Sequence, residues 1–440
     1  MRRFVCVLLL AAICLSLGGC FLDPAENLYA VPKQSASFYH LQTAIENAMS
    51  DNAAYSAPVS GENQQAVQMA DVDGDSDDEA IVYLKTEGEK PLRLCVFDMQ
   101  GGSYSLLAKI DGVGNAFDQV QYVQFDDKKG NEIVVGRRIS DSVTQVLSVL
   151  TLQNGELVEL INTSYHEFIT SDLNLDGLHD VLLLNQDGDA ANGIAVYYHW
   201  GNGQPIRELE ASLSAPVSAV KRIITGRMCE GVPAVFVAST YDEEKIVTDI
   251  FGLRGGSFAN LSLTGEPDTG VKTVREYYVY SCDIDSDGLI ELPRLLPMPS
   301  IAEDESSNNQ SLIRWYNLQL DGTERVKSLT YHNYSDGWYL TIPEAWKDNV
   351  AVTSFTAFGS NRGYRFVDAQ SGRTIFSIIS VLDKSAARTV EEEEWIQLVK
   401  KGEFSYSCAL GEAARLYSID EAAVRAMFHF IRIDWNTGET

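Results

Sequence analysis

The chain has 440 residues, which is enough for two or three domains of roughly 150 residues each. It carries 62 acidic and 34 basic residues, so the formal net charge is −28. An excess of negative charge this large argues against nucleic acid as a partner and against docking on a membrane through a basic face.

The N-terminus has the features of a lipoprotein export signal. Residues 1–3 are basic at two positions, residues 4–17 are almost wholly apolar, and Gly18-Gly19-Cys20 follows. The apolar run is shorter than the ~20 residues that a membrane-spanning helix needs. We therefore expect a signal peptide over 1–19 and a lipid anchor on Cys20, which would hold the protein on the outer face of a bacterial cell membrane. The alternative is an ordinary secretory signal in which the cysteine is incidental.

The next two segments lead from the membrane to the body of the protein. Residues 20–35 are polar and contain proline, which predicts a tether. Residues 36–63 are predicted to hold a helix over 37–50 and a lead-in, because Leu41, Ala44, Ile45 and Ala48 follow the spacing of an apolar helical face. We expect this face to pack on the neighbouring domain. The four cysteines beyond Cys20 are far apart and have no metal-type spacing, and we expect most of them to be buried free thiols. The alternative is disulfide bonding, for which four cysteines allow three pairings that the sequence does not rank.

Three acidic loops share one spacing, with oxygen-bearing side chains at positions 1, 3, 5 and 9, and each loop runs into an apolar stretch. A hard cation such as Ca²⁺ prefers six to eight oxygen ligands, and a tight turn directs alternate side chains inward. We predict a Ca²⁺ site in at least two loops, because clustered carboxylates repel one another without a cation. The alternative is a solvated acidic turn. The candidate ligands are Asp71, Asp73, Asp75, Asp77 and Glu79 in the first loop, Asp172, Asn174, Asp176 and Asp180 in the second, and Asp283, Asp285, Asp287 and Glu291 in the third.

A repeat of about 50 residues fills the middle of the chain. Two degenerate copies of the loop, near residues 125 and 225, lie between the acidic ones and are expected to bind no metal. Hairpin dipeptides that accept positive φ recur in phase with the loops, at Gly101-Gly102, Asn154-Gly155, Asn202-Gly203, Gly255-Gly256 and Asp321-Gly322. Each unit is therefore predicted to hold four strands. Four-stranded units arranged around an axis form a β-propeller, here with five blades over 64–334 that start near 64, 116, 166, 216 and 271.

The Asp-x-Asp-x-Asp-Gly-x-x-Asp turn followed by an aliphatic strand resembles the FG-GAP and VCBS-type repeats of integrin-like β-propellers. The second and third loops match the pattern closely, whereas the first has Ser76 in place of the glycine. The resemblance implies that the Ca²⁺ is structural and joins two strands of a blade. It also implies up to seven blades, with additional strands supplied by the flanking segments.

The repeat stops before residues 335–440, for which the sequence predicts a small α+β domain. Strands are expected over 338–342, 351–358, 363–368 and 374–382, with further strands over 406–416. Helices are expected over 391–401, ending at Gly402, and over 419–431, opened by a capping box at Ser418. This order of elements and the Tyr-Leu-Thr-Ile-Pro motif loosely resemble the PsbP-like domains of bacterial lipoproteins, which implies a fold more than a function.

No motif for catalysis stands out. The six histidines form no metal-binding or nucleophile-activating pattern, and there is neither a G-x-S-x-G elbow nor a glycine-rich phosphate loop. We therefore predict a non-catalytic envelope lipoprotein that binds a protein or polysaccharide or serves as a scaffold. The alternative is an envelope enzyme with its active site in the propeller funnel or in the C-terminal domain.

Overall fold

The computed structural model describes residues 36–49, 52–139, 145–186, 188, 190–208, 210–242, 245–263, 272–276, 279–301, 307, 310–357, 361–382, 395–432 and 435. The predicted signal peptide, Cys20 and the tether lie outside these ranges. Two compact units are present, one of residues 1–120 and 152–158 and the other of residues 121–151 and 159–440. Among the described residues, no helix is long and apolar enough to cross a membrane.

The described chain is mainly β and forms six antiparallel sheets. A helix, α1 Ala36–Ala48, precedes the first sheet. Sheet 1 contains β1 Ala54–Tyr55, β2 Val67–Ala70, β3 Glu79–Lys85, β4 Leu92–Gln100 and β5 Ser103–Gly112; sheet 2 contains β6 Ala116–Val123, β7 Glu132–Arg138, β8 Gln145–Gln153 and β9 Glu156–Tyr165; sheet 3 contains β10 Glu167–Ser171, β11 Asp180–Gln186, β12 Gly193–Gly201, β13 Gln204–Arg207 and β14 Ala211–Ser212.

The later sheets incorporate segments that are distant in sequence. Sheet 4 contains β15 Val220–Arg227, β16 Pro233–Tyr241, β17 Lys245–Arg254, β18 Ser257–Asn260 and β19 Arg275–Glu276; sheet 5 contains β20 Leu292–Pro297, β21 Ser311–Leu318, β22 Glu324–Asn333, β23 Trp338–Thr341 and β29 Phe428–Phe430; sheet 6 contains β24 Val350–Ala357, β25 Asn361–Asp368, β26 Thr374–Leu382, β27 Ile396–Lys401 and β28 Phe404–Leu410. A second helix, α2 Glu421–Met427, and the 3-10 turns Val217–Ala219, Cys229–Gly231 and Glu344–Trp346 complete the described elements.

Four of the five predicted hairpin turns are confirmed by the backbone, whereas Asp321-Gly322 lies in a longer connection between Leu318 and Glu324 in which only Gly322 has positive φ. In the first four sheets, two-residue turns join β4 to β5, β8 to β9, β12 to β13 and β17 to β18, and both residues of each turn have positive φ. This conformation matches the twist of the flanking strands and is tolerated best by Gly and Asn. The φ values are 60° and 86° at Gly101-Gly102, 52° and 79° at Asn154-Gly155, 53° and 76° at Asn202-Gly203, and 58° and 81° at Gly255-Gly256.

The first unit is built around one face of sheet 1. Helix α1 lies over this face, and Leu41 and Ile45 pack with Val82, Cys95 and Phe97 in a buried cluster. The predicted helix and its packing are therefore confirmed. All five of these side chains are nine-tenths or more buried, so each large apolar one contributes about 1.5–3 kcal/mol relative to its exposed state.

In the second unit, consecutive sheets share their cores. The central strands β11 and β16 are apolar and buried along most of their length. Because successive side chains of a strand point to opposite faces, each sheet presents apolar side chains to the next sheet in the chain. The shared clusters include Phe125, Val149 and Leu183 between sheets 2 and 3, Tyr197, Leu213 and Phe251 between sheets 3 and 4, Phe236, Ile250 and Tyr316 between sheets 4 and 5, and Trp338, Phe366 and Phe376 between sheets 5 and 6.

The helix predicted over 391–401 is wrong for its described part, because residues 396–401 form strand β27. This strand pairs with β28, with Ile396 opposite Cys408 and Lys401 opposite Phe404. The predicted stop residue, Gly402, has φ of 61°. Both a helix C-terminus and a hairpin turn need that conformation, so the sequence signal did not distinguish them.

The last helix is shorter than the predicted span of 419–431. Asp420 caps it by accepting a 2.8 Å hydrogen bond from the amide of Ala423, and the helix ends at Met427. Phe428–Phe430 leaves the helix and pairs with β23, with Phe430 opposite Trp338. Burial of the two aromatic side chains against sheet 5 outweighs the helical pattern, since intrinsic propensity is a weak preference compared with tertiary packing.

Sheet 5 contains strands from both sides of the boundary predicted at residue 335. Strands β20, β21 and β22 precede that position, whereas β23 and β29 follow it. The repeat predicted to start near residue 271 also differs, since β19 joins sheet 4 and sheet 5 begins at Leu292. Among the described residues, Cys95, Cys229, Cys282 and Cys408 are buried and form no disulfide.

Candidate metal centre

The three acidic loops occupy equivalent places in the fold. The first connects β2 to β3, and the second connects β10 to β11. The third precedes β20 and is closed by an isolated antiparallel bridge between Cys282 and Glu291. The first two loops therefore link adjacent strands of one sheet, as the repeat pattern predicted, whereas the third is closed by a single bridge.

The backbone of the three loops is the same at positions 4 and 6, where φ is positive. Position 4 is Gly74, Leu175 or Ser286, with φ of 82°, 61° and 64°. Position 6 is Ser76, Gly177 or Gly288, with φ of 78°, 89° and 83°. The first loop thus has its glycine two positions earlier than the others, and Ser76 adopts the left-handed conformation that the sequence pattern assigns to glycine.

The carboxylate at position 1 organises each turn. In all three loops it accepts a hydrogen bond from the amide of position 6, at 3.1 Å from Ser76 to Asp71, 3.1 Å from Gly177 to Asp172 and 2.9 Å from Gly288 to Asp283. Asp71 also accepts a bond from the amide of Gly74 at 2.7 Å. The turn is therefore held by its own acids, and these bonds orient the position 1 side chain.

The acid at position 9 is buried and binds the start of the loop. Glu79, Asp180 and Glu291 are 0%, 1% and 0% exposed. Each accepts a hydrogen bond from the amide of position 2 through one oxygen, and the distances from Val72, Leu173 and Ile284 are 2.9, 2.8 and 3.0 Å. This acid therefore has a structural role in addition to the ligand role predicted for it.

The second oxygen of the position 9 acid differs between the loops. Among the described residues, Glu79 Oε1 and Asp180 Oδ1 are buried without a hydrogen-bond partner, and so is Asp172 Oδ1. In the third loop, by contrast, Glu291 Oε1 accepts a 2.8 Å bond from Asn317. A buried oxygen without a partner costs about 1–3 kcal/mol, so the first two loops have unsatisfied acceptors that a cation would satisfy.

Burial raises the pKa of these acids. The pKa of Glu79 is raised to about 7, first by burial and then by the negative charges of Asp73 and Asp75. The pKa of Asp180 is raised to about 6, mainly by burial and in part by Asp176 and Asp172. Burial likewise raises the pKa of Glu291. A divalent cation would stabilise the ionised forms, because opposite charge favours the carboxylate.

Carboxylate oxygens converge in two of the three loops. Asp71, Asp73 and Glu79 place oxygens within 4.8 Å of one another, and so do Asp283, Asp285 and Glu291. Within the described ranges, Asp75, Asp77 and Asp287 do not join these groups, and the acids of the second loop form no such group of three. In the second loop, Asn174 instead donates a 2.9 Å bond to Asp176. Since only oxygen ligands are present, the donor set fits a hard cation such as Ca²⁺.

A lysine lies against the third loop. Lys327, on β22, places Nζ 2.9 Å from Asp285 Oδ2 and also forms an ion pair with Asp287. Its pKa is raised by these two carboxylates, and the pKa of Asp287 is lowered in return. The sequence analysis missed this residue because it lies about 40 positions beyond the loop and follows no loop motif.

The degenerate loop near residue 125 retains the buried acid. Glu132 is 2% exposed and accepts amide hydrogen bonds of 2.7 Å from Phe125 and 3.1 Å from Asp126. Lys128 occupies position 5, and its Nζ lies 3.3 Å from Asp126 Oδ2. Aligning the copies on Glu132 would have identified it as position 9, so this signal was present in the sequence.

One histidine has a carboxylate partner. His199 Nε2 lies 3.1 Å from Glu208 Oε1, while its Nδ1 lies 3.1 Å from the carbonyl oxygen of Trp200. Both ring nitrogens therefore have partners close by in sheet 3 and its following turn. Among the described residues, no hydroxyl or thiol bonds to this pair, as a nucleophile-activating arrangement would require.

Comparison with protein-family models gives no match, and comparison with curated proteins gives none either. Among solved structures, the chain is similar to the exotype rhamnogalacturonan lyase YesX, with a TM-score of 0.31 and 12% identity over 75% of this chain and 67% of that chain. It is also similar to the rhamnogalacturonan lyase YesW, with a TM-score of 0.29 and 11% identity over 73% of this chain and 71% of that chain. Similarity at this level does not indicate a function for this chain.

Proposed function

We propose that the protein is a calcium-stabilised scaffold or binding module rather than an enzyme. The observation that carries this proposal is the buried oxygen Glu79 Oε1, which has no partner among the described residues and belongs to a carboxylate group with Asp71 and Asp73. A hard cation bound there would supply the positive charge that the buried acid lacks. In the second loop, Asp172 and Asp180 would offer their unpaired oxygens in the same way.

The proposed arrangement is a β-propeller with the loops at the corners of its blades. Support comes from the second unit, where each sheet packs its apolar face against the next sheet in the chain. A ring of this kind buries the faces of all its sheets and leaves only short edges. Cations at the loops would then fix the turn between two strands of a blade, so that the surface formed by the loops is rigid.

The proposed location is the cell envelope, with the lipid on Cys20 as the anchor and a protein or polysaccharide as the ligand. Support comes from the sequence features of residues 1–20 and from the net charge of −28. Modest calcium affinity suffices in such a location, because extracellular calcium-binding modules operate at 10⁻⁴–10⁻³ M.

The test is thermal unfolding of the full chain with calcium and with a calcium chelator. A cation that binds only the folded state adds about 2.7 kcal/mol when its concentration is 100 times Kd. We expect calcium to raise Tm, and we expect Asp73→Asn to reduce that increase because it removes one ligand of the first loop. Glu87→Gln, which removes an exposed carboxylate beyond the end of β3 opposite the loop, is the control and should leave the increase unchanged.

An unchanged Tm on chelation would contradict the metal assignment. The scaffold role is tested separately by a glycan and peptide binding screen in calcium. Turnover of generic glycoside or ester substrates by the purified protein would overturn the non-catalytic part of the proposal.

A further inference from the structure

The third loop already contains a cation that belongs to the chain. Lys327 Nζ contacts Asp285 and Asp287, which are positions 3 and 5 of the loop and therefore two of its predicted metal ligands. The Lys327 side chain is 27% exposed, while those of Asp285 and Asp287 are 44% and 35% exposed. The ammonium thus lies at a partly solvated site where a divalent cation would have to displace it.

The hydrogen bonds of the third loop agree with Lys327 standing in the place of a metal ion. Both oxygens of Glu291 have protein partners, since Oε2 accepts from the amide of Ile284 and Oε1 accepts from Asn317. In the first loop, Glu79 Oε1 has no partner, and no lysine or arginine among the described residues pairs with Asp73. The third loop is therefore satisfied by the protein itself, whereas the first loop is not.

The degenerate loop near residue 125 uses the same arrangement. Lys128 stands at position 5 of that loop, where the acidic loops have a carboxylate, and it pairs with Asp126 at position 3. The buried acid at position 9, Glu132, still holds the loop together. A lysine thus pairs with the position 3 acid in two loops. In the degenerate loop this lysine stands at position 5, and in the third loop it comes from a neighbouring strand.

We propose that Lys327 is a resident counter-ion that lowers the affinity of the third loop for calcium, so that the first loop binds calcium more tightly than the third. This inference rests on the proposed calcium binding. A cation tethered to the fold competes as an intramolecular ligand and cannot diffuse away. Two partly exposed ion pairs contribute modestly, so their removal should tighten calcium binding at the third loop about five- to tenfold.

The experiment is calcium titration calorimetry on full chains that carry Asp73→Asn and Asp176→Asn, which weaken the first two loops and isolate the third. We expect Lys327→Met in this background to lower Kd about five- to tenfold. Lys327→Arg keeps the charge and should leave Kd near that of the background. Lys347→Met, which removes an exposed lysine paired with Glu344, is the matched control and should have no effect.

Each outcome decides the inference. An unchanged Kd in Lys327→Met, or a third loop that already binds as tightly as the first in the unaltered chain, would overturn it. If Asp73→Asn and Asp176→Asn remove no calcium binding, the proposed function fails. A lower Kd in Lys327→Met would then still support the inference, whereas an unchanged Kd would overturn both. Circular dichroism checks folding, and Lys327→Gln replaces Lys327→Met if that variant does not fold.

Discussion

At the scale of single residues, the position 9 acid serves two purposes with its two oxygens. One oxygen of Glu79 binds the amide of Val72 at 2.9 Å, which leaves the other for a different partner. In Glu291, that different partner is the side chain of Asn317. A donor on the neighbouring strand, as at Asn317, gives the second oxygen of this acid a hydrogen-bond partner. The second oxygen of Glu79 has no such partner among the described residues.

Among the described non-glycine residues with positive φ, Leu175 is the one with an apolar side chain. It is 62% exposed and has φ of 61°, a conformation that costs about 1–2 kcal/mol for most L-residues but less for Asn. We expect Leu175→Asn to raise the free energy of unfolding by about 0.5–1 kcal/mol, measured by urea unfolding.

The control for this prediction is Leu416→Asn, which changes a leucine that is 76% exposed and has no positive φ. It should leave the free energy of unfolding unchanged. Equal effects of the two substitutions would show that exposure, rather than backbone strain, is responsible.

His332 gives the protein a defined sensitivity to acid. Its ring lies among Trp315, Tyr339 and Trp435, and burial lowers its pKa from 6.5 to about 3. The folded state therefore favours the neutral ring. Stability from this group is complete above the unfolded pKa of 6.5 and is lost as the pH falls from there toward 3.

We expect His332→Phe to reduce the loss of stability between about pH 7 and pH 5, by on the order of 1–2 kcal/mol in urea unfolding. The same pH slope in both proteins would rule out this role.

At the scale of elements, each acidic loop is held together by hydrogen bonds from its own backbone amides to its own acids. Positive φ at positions 4 and 6 exposes amides toward the position 1 acid, while position 9 holds the amide of position 2. Glu132 retains this function in a loop where Gln124 and Lys128 replace the acids of positions 1 and 5. The structural role of the loop acids and their proposed metal-binding role can therefore be separated by comparing loops within one molecule.

Glu132→Ala and Glu79→Ala provide that comparison. Each removes the acceptor of two amide hydrogen bonds, so each should lower the free energy of unfolding in calcium by about 2–4 kcal/mol. Only Glu79→Ala should also reduce the difference between unfolding in calcium and unfolding in chelator. A loss of calcium response in Glu132→Ala would contradict the separation of the two roles.

Sequence reasoning succeeded where the local chemistry has one solution. Adjacent Asn and Gly at a hairpin have few alternatives, so the turn at Asn154-Gly155 was placed correctly. It failed where one signal suits two structures, as at Gly402, and where the partner is distant in sequence, as for Lys327 and Asn317. Ion pairs and cross-strand hydrogen bonds leave no periodic trace along the chain, so only the folded structure reveals them.

At the scale of the whole chain, sheet 5 joins segments that the repeat pattern had separated. The side chain of Trp338, on β23, is fully buried, and it contacts Phe428 from β29 with 5.8 Å between ring centroids. Leu329 and Tyr331 on β22 belong to the same core. The C-terminal region therefore completes a sheet of the second unit in addition to forming sheet 6.

A chain that ends at residue 334 should consequently fail to fold cooperatively. It would lack β23 and β29 and would expose the apolar side chains that pack on them, which amounts to several kcal/mol of lost burial. The measurement is thermal unfolding by circular dichroism together with the elution volume on size exclusion. The full chain with Trp338→Ala is the companion variant, for which we expect a cooperative transition at lower Tm. A truncated chain that melts cooperatively near the Tm of the full chain would show that β22 does not need its neighbours.

The pairing of Phe428–Phe430 with Trp338–Thr341 also sets an order of events during biosynthesis. A polypeptide emerges from the ribosome N-terminus first, so β23 has an open edge until some ninety further residues have followed it. Unpaired edges recruit other strands, so β23 can pair with another chain during this interval. Premature termination anywhere in the interval would leave the edge of β23 permanently open.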